Sequence, residues 1–255
     1  MVELKTATEL AVMREAGRVV ARALAAVRES ADTGVSLAEL DAVAAQVIAD
    51  AGVKPSFLGY HPNWAPTPYP GVICASVNDA IVHGIPGRYR LRDGDLLSID
   101  CGAAIDGWHG DAAVSFVVGA ADPADLALIA ATDQALAAGI AAAQPGAKMG
   151  DVSAAIATIG RAAGYGVTED HGGHGIGRAM HEDPPVPNDG RPGRGLRLRP
   201  GLVLALEPMF TRGGRDDYRH ADDGWTVHTT DGTRASHSEH TVAITEAGPV
   251  VLTLP

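Results

Sequence analysis

Three apolar runs of strand length in this 255-residue chain each meet a carboxylate at one end. Leu96-Leu-Ser-Ile runs into Asp100, and Leu202-Val-Leu-Ala-Leu runs into Glu207-Pro208. Glu239 stands just before the run from Thr241 to Thr245. Such runs belong in a core, where an ionised carboxylate is costly unless it is paired or holds a cation. The fold must therefore bring these strand ends to a place where their charges are answered.

A fourth acid, Asp111, lies eleven residues after Asp100. Asp106-Gly107 between them is a hairpin turn signal. Residues 96–118 are thus expected to form an antiparallel hairpin, with the two acids within a residue or two of register. Acids that close repel, and one stays protonated unless a cation intervenes. The alternative for each is a turn or backbone hydrogen bond. Gly173-His-Gly-Ile-Gly177 adds His174 among glycines that permit close approach, with His181 seven residues on. A neutral imidazole ligates metals. Four carboxylates and one imidazole suit Mn, Fe, Co or Zn, and they carry more charge than one divalent ion answers. Two ions would balance it, and such pairs activate water and polarise carbonyls. On the residues alone, His174 and His181 are both candidates for the imidazole.

The remaining pattern predicts an α+β chain. Thr6-Ala-Thr-Glu9 and Ser36-Leu-Ala-Glu39 have capping-box spacing and open helices expected over 6–27 and 36–51. Asp122-Pro123 opens a third helix to about Ala143, and a fourth covers about Asp151 to Ala163. Strands are expected at 72–76, 96–101, 112–118, 201–207, 224–229 and 237–245. Two helices followed by strands thus occur twice, giving one catalytic domain over 1–255 with similar halves at about 6–119 and 122–246. Residues 54–72 are rich in proline and aromatics and read as an irregular loop.

Several classes are excluded or bland. The net charge of −11 gives no general affinity for nucleic acid. No stretch of 18 apolar residues is present, so no membrane span is expected, and no secretory leader is read, so the cytoplasm is the expected compartment. Cys74 and Cys101 sit in apolar runs and read as free thiols. His61, His109, His220, His228 and His237 lie in polar or loop segments and read mostly as solvated. The stretch 191–200, with four arginines, reads as an exposed loop, the alternative being a weak, transient ribosome contact.

The ordered motifs resemble the type I methionine aminopeptidases over nearly the whole chain. They are Lys5-Thr-Ala-Thr-Glu-Leu…Met13-Arg-Glu-Ala-Gly17, Cys74 to Pro86, Ile99-Asp100-Cys-Gly102 and Asp106-Gly-Trp-His-Gly-Asp111. They continue with Gly173 to His181, Leu206-Glu-Pro-Met209, Asp223-Gly-Trp-Thr-Val227 and Ser238-Glu-His-Thr241. The resemblance implies the pita-bread fold, with two αβ halves around a curved antiparallel sheet, and removal of the initiator methionine from nascent chains with a small second residue. It implies two divalent ions (Co, Mn, Fe, Zn or Ni), with Asp100 at one side, Asp111 and Glu239 bridging, and His174 and Glu207 at the other. It further makes Glu207 the acid/base, His181 the group that stabilises the oxyanion, and His83 the group near the amide nitrogen. By position, Tyr60, Tyr69, Cys74, Met180 and Trp225 become walls of the methionine pocket. A monomer is the default for the family.

Three departures stand out. Met180 stands where phenylalanine is common, and His171 where an aromatic is common. The loop between Tyr60 and Tyr69 carries Asn63-Trp64-Ala65-Pro66 beyond what short relatives have. The chain also begins almost directly with the catalytic pattern, without the Cys/His-rich extension of some relatives, which weakens stable ribosome docking. Two rivals differ in kind. An Xaa-Pro aminopeptidase or prolidase shares the ligands but usually adds a large amino-terminal domain. A metal-free peptide-binding module of the same fold loses ligands, whereas all five are present here.

Overall fold

The computed structural model describes residues 2–168 and 170–255. Four helices form, the first three where the caps predict: α1 (Ala7–Ser30), α2 (Leu37–Asp50), α3 (Pro123–Ala142) and α4 (Met149–Ala162). Thr6 and Ser36 accept from the backbone N–H groups of Glu9 and Glu39, whose carboxylates accept in return. Asp122 caps α3 with Pro123 in its first turn. Helix α4 starts two residues before the expected Asp151, because the Asp151 carboxylate accepts from Lys148 N–H at 2.7 Å. Helix α3 is long and apolar enough by composition to cross a membrane. Its apolar residues Leu128, Ala135 and Leu136 instead enter a core with α4 and the sheet.

The main sheet has nine strands, and its pairings are antiparallel. At its centre is the expected hairpin, Leu96–Ile105 with Trp108–Val117, longer than predicted at its turn end. Asp106 and Gly107 both have positive φ, 51° and 79°, the geometry of a tight hairpin turn whose twist matches its strands. Beyond this hairpin come strand Glu239–Thr245, then Val203–Leu206, then Gly172–Gly175 and Glu182–Pro187. The glycines on either side of His174 form a strand that was not expected, and residues 176–181 turn the chain between it and the next strand. A Cβ on Gly173 would collide with the Ala205 carbonyl oxygen, so glycine is what lets that strand pair with its neighbour.

Side-chain alternation sets which face carries the site. Ile99, Cys101, Ala103, Ala112 and Phe116 pack with residues of α1 and α2. Leu202, Leu204, Leu206, Val242 and Ile244 pack with residues of α3 and α4. Asp100, Asp111, Glu207 and Glu239 have the opposite parity, so they project from the face that the helices leave free. Residues 56–72 are irregular as expected and fold over that face, where Phe57, Ala65 and Tyr69 pack with Cys74 and Trp225. Cys74 and Cys101 are free, buried thiols.

Candidate metal centre and its cavity

The register aligns the acids across the sheet. Asp100 is opposite Ala113, and Asp111 is opposite Gly102, so the two acids are diagonal neighbours on one face. Glu239 is also opposite Ala113, on its other side. Leu206 pairs with His240, so Glu207, one residue further, reaches the row of Glu239. His174 pairs with Ala205. Crossing the sheet, the order is Asp100, Asp111, Glu239, Glu207, His174: four strands, and the residue just past the end of a fifth, supply one donor each.

These groups are poorly answered by protein. Asp111, Glu239 and His174 are 3 %, 1 % and 8 % exposed. Asp100 Oδ1, Asp111 Oδ1 and Glu239 Oε1 are buried without a hydrogen-bond partner. Burial pushes the Asp100 carboxyl up to about 7. Burial, and after it the neighbouring carboxylates, push Asp111, Glu207 and Glu239 well above the ordinary carboxylate range. Orphaned acid oxygens gathered in this way are what a bound cation would satisfy.

The imidazole is preset for the same task. His174 Nδ1 lies 2.8 Å from the Gly175 carbonyl oxygen, which can only accept, so Nδ1 carries the proton. That leaves the Nε2 lone pair free, 3.5 Å from Glu207 Oε1. Burial lowers the His174 pKa to about 4, which keeps the ring neutral. Donor atoms of Asp111, His174 and Glu239 all lie within 4.8 Å of one another. The backbone behind them is fixed as well: Asp111 N–H donates to Thr241 Oγ1 at 2.9 Å, and that hydroxyl donates to Asp111 O at 2.8 Å.

The acids form the floor of a cavity of about 200 Å³. Tyr60, Tyr69, Cys74 and Trp225, named from the sequence, line it, as do His83, His174 and His181. Tyr69 presents ring rather than hydroxyl, because its OH lies 2.8 Å from Gly84 O and 3.0 Å from Ile73 O. Trp225 Nε1 donates to Thr67 O at 3.1 Å. His181 stands at the exposed rim, stacked on Tyr60 at 5.2 Å and beside His174 at 4.1 Å. His83 has φ of 58°, an unusual backbone for a non-glycine residue, and its Nδ1 is buried without a partner.

Four sequence expectations need correction. Met180 is not among the cavity-lining residues. It is buried in the cluster that holds Met13 and Ile176 together with the cavity walls Tyr69, Cys74 and Trp225. Phe57 and Trp64 line the cavity instead, although neither was named as a wall. His237 is not solvated: it is 2 % exposed. Its backbone N–H donates to Ser115 Oγ at 3.1 Å, and its ring Nε2 stands 3.7 Å from Glu207 Oε2 and 3.9 Å from Glu239 Oε2 without a hydrogen-bond partner. Burial lowers its pKa to about 3, so the ring is neutral. The one sequence signal was its place two residues before Glu239. His109 is partly buried, with Ser56 Oγ 2.8 Å from its Nδ1.

The match to known proteins decides the family. The model of metallopeptidase family M24 matches residues 11–246. The chain belongs to that family. It is 52 % identical to methionine aminopeptidase 1 of Mycobacterium tuberculosis, covering all of this chain and 96 % of that one. It is 44 % identical to methionine aminopeptidase 1 of Bacillus subtilis, over 99 % of each chain. The crystal structure of methionine aminopeptidase from Thermotoga maritima superposes with a TM-score of 0.95 at 39 % identity, over the full length of both. The M24 chain described here therefore has the pita-bread fold, of the α+β class. A prolidase from Pyrococcus horikoshii shares the fold alone, at 21 % identity and a TM-score of 0.79.

Proposed function

We propose that this M24 metallopeptidase removes the amino-terminal methionine from nascent chains and peptides whose second residue is small. The observation that carries the reading is the convergence of five donors at the floor of a narrow, aromatic-walled cavity. Full-length relatives named methionine aminopeptidase support it.

Asp100, Asp111, His174, Glu207 and Glu239 would hold two divalent cations. The sheet order supports the division of labour: Asp111 and Glu239 stand between Asp100 on one side and Glu207 with His174 on the other. Such cations, drawn from Co, Mn, Fe, Zn and Ni, supply Lewis acidity that activates a water and polarises the scissile carbonyl. Tyr60, Tyr69, Cys74 and Trp225 exclude water from the thioether side chain and orient it. Glu207, held by its backbone carbonyl to Asn188 Nδ2 at 2.9 Å, takes the proton of the attacking water and returns it to the leaving amine. His181 at the rim donates to the carbonyl oxygen as negative charge develops there. His83 orients the scissile amide nitrogen. The enzyme acts as a monomer in the cytoplasm, and its arginine-bearing 191–200 loop makes at most a transient ribosome contact.

The test is release of methionine from Met-Gly-Met and Met-Ala-Ser, followed by chromatography, with each divalent ion added to chelator-treated protein. Methionine and the shortened peptide are expected only with metal. Turnover that persists in rigorously metal-free protein, or no release with any ion, would overturn the reading. Efficient cleavage of Met-Lys or Met-Phe peptides would overturn the small-residue requirement.

A further inference from the structure

Trp64 has no part in the chemistry above, yet it stands at the mouth of the cavity. It is 59 % exposed. Its ring lies nearly parallel to His83, with centroids 6.3 Å apart and planes 24° apart, and meets Trp225 edge-on at 5.0 Å. The segment that carries it is seated against the protein. Ala65 N–H donates to Pro62 O at 3.0 Å, and His61 Nε2 lies 3.1 Å from Ala65 O. Thr67 O accepts from Trp225 Nε1. Gly224 has no side chain where a Cβ would collide with the Pro66 ring, so the two loops close against each other.

Trp64 and His83 belong to two hollows at once. The inner one is the 200 Å³ cavity over the acids. The outer one, of about 430 Å³, is completed by Pro66, His171, His220 and Gly224. A peptide whose first side chain fills the inner cavity must leave past these two shared residues. In an extended peptide the side chains of residues 1 and 3 point to the same side, about 7 Å apart. That places the third side chain over the outer hollow, against the exposed indole. A ring wall of this kind rewards aromatic side chains through offset or edge contacts.

We propose that Trp64 is a specificity-determining residue, and that the outer hollow it walls receives the third side chain of the peptide with a preference for aromatic residues. The proposal rests on the aminopeptidase reading. It is tested with metal-loaded wild type, Trp64→Ala and Trp64→Phe, using Met-Ala-Phe and Met-Ala-Ala. KM and kcat are measured for both peptides. Calorimetric affinity is measured for their analogues with a reduced scissile bond. Wild type should bind the phenylalanine peptide about fivefold more tightly in KM and in calorimetry, the scale of one aromatic contact. In Trp64→Ala the two peptides should converge in KM and in calorimetry, and Trp64→Phe should keep part of the preference. An equal preference in wild type and Trp64→Ala overturns the proposal. So does a uniform fall in kcat at unchanged KM, which would make Trp64 a prop for His83. If no peptide releases methionine with any ion, the aminopeptidase reading fails, while the calorimetric preference still decides the role of Trp64.

Discussion

Replacing Asp111 by Asn should move stability in opposite directions with and without divalent cations. In the cation-free protein four carboxyls share one face, and burial holds Asp100 at about 7 against its ordinary 3.8. A raised carboxyl pKa means that the folded protein keeps a proton the unfolded chain gives up. Its stabilising contribution is complete below the unfolded value of 3.8 and is lost as pH rises through about 7. Burial of Asp100 thus costs the cation-free protein stability across that window. Glu239 and Asp100 raise the Asp111 carboxyl, and Asp111 raises that of Glu207, so neutralising Asp111 removes a repulsion additional to the burial of Asp100. A gain of about 1–2 kcal/mol at neutral pH corresponds to a rise of about 2–8 °C in Tm for a chain of this size. With cations the order reverses. Wild type in a hundredfold excess over Kd gains about 2.7 kcal/mol, and the variant loses a donor from the middle of the cluster. The assay is thermal unfolding by circular dichroism at about pH 5 and about pH 7.5, with chelator or with Mn²⁺. A cation-free variant less stable than cation-free wild type at the higher pH would refute the repulsion argument. A wild-type Tm indifferent to Mn²⁺ would refute the cation site.

Three further outcomes are expected. His83→Ala should lower kcat by about 10²–10⁴-fold with metal content retained in elemental analysis; parallel loss of metal would make His83 a ligand. His237→Ala should weaken Mn²⁺ binding by about 10–100-fold in calorimetry, since its neutral Nε2 faces the oxygens of Glu207 and Glu239, and His237→Gln should recover part of it; an unchanged Kd would leave the ring a packing residue. Tyr69→Phe should lower stability by about 1 kcal/mol, a few degrees in Tm, by removing the hydroxyl tie to the Gly84 and Ile73 carbonyls, while KM for methionine peptides stays close to wild type; a large rise in KM would show that the hydroxyl, not the ring, meets substrate.

Much of the site was legible because its signals are local. An acid at the end of an apolar strand is a conflict visible in a few residues, and the conflict recurs at Asp100, Glu207 and Glu239. The capping boxes at Thr6 and Ser36 are equally local, and both helices begin there. The hairpin turn at Asp106-Gly107 needs only the tolerance of those two residues for positive φ. His237 could not be read in this way. Arg234-Ala-Ser-His-Ser has the polarity of a loop, and its burial comes from pairing with Met209 and from the hydroxyl of Ser115, both remote in sequence. The strand at Gly172–Gly175 was missed for a related reason: glycine has no strand propensity, and only the Ala205 carbonyl that would strike a Cβ makes it necessary.

The sequence by itself thus determined that carboxylates would end apolar strands and that an imidazole among glycines was available to join them. Apart from the family resemblance, it could not order them. Strand order depends on which edges pair across the whole chain, and that pairing is decided by how the two helix pairs cover one face of the sheet. Tertiary structure alone set Asp111 and Glu239 between their neighbours, turned His174 rather than His181 into the row, and stood Trp64 over His83 at the cavity mouth.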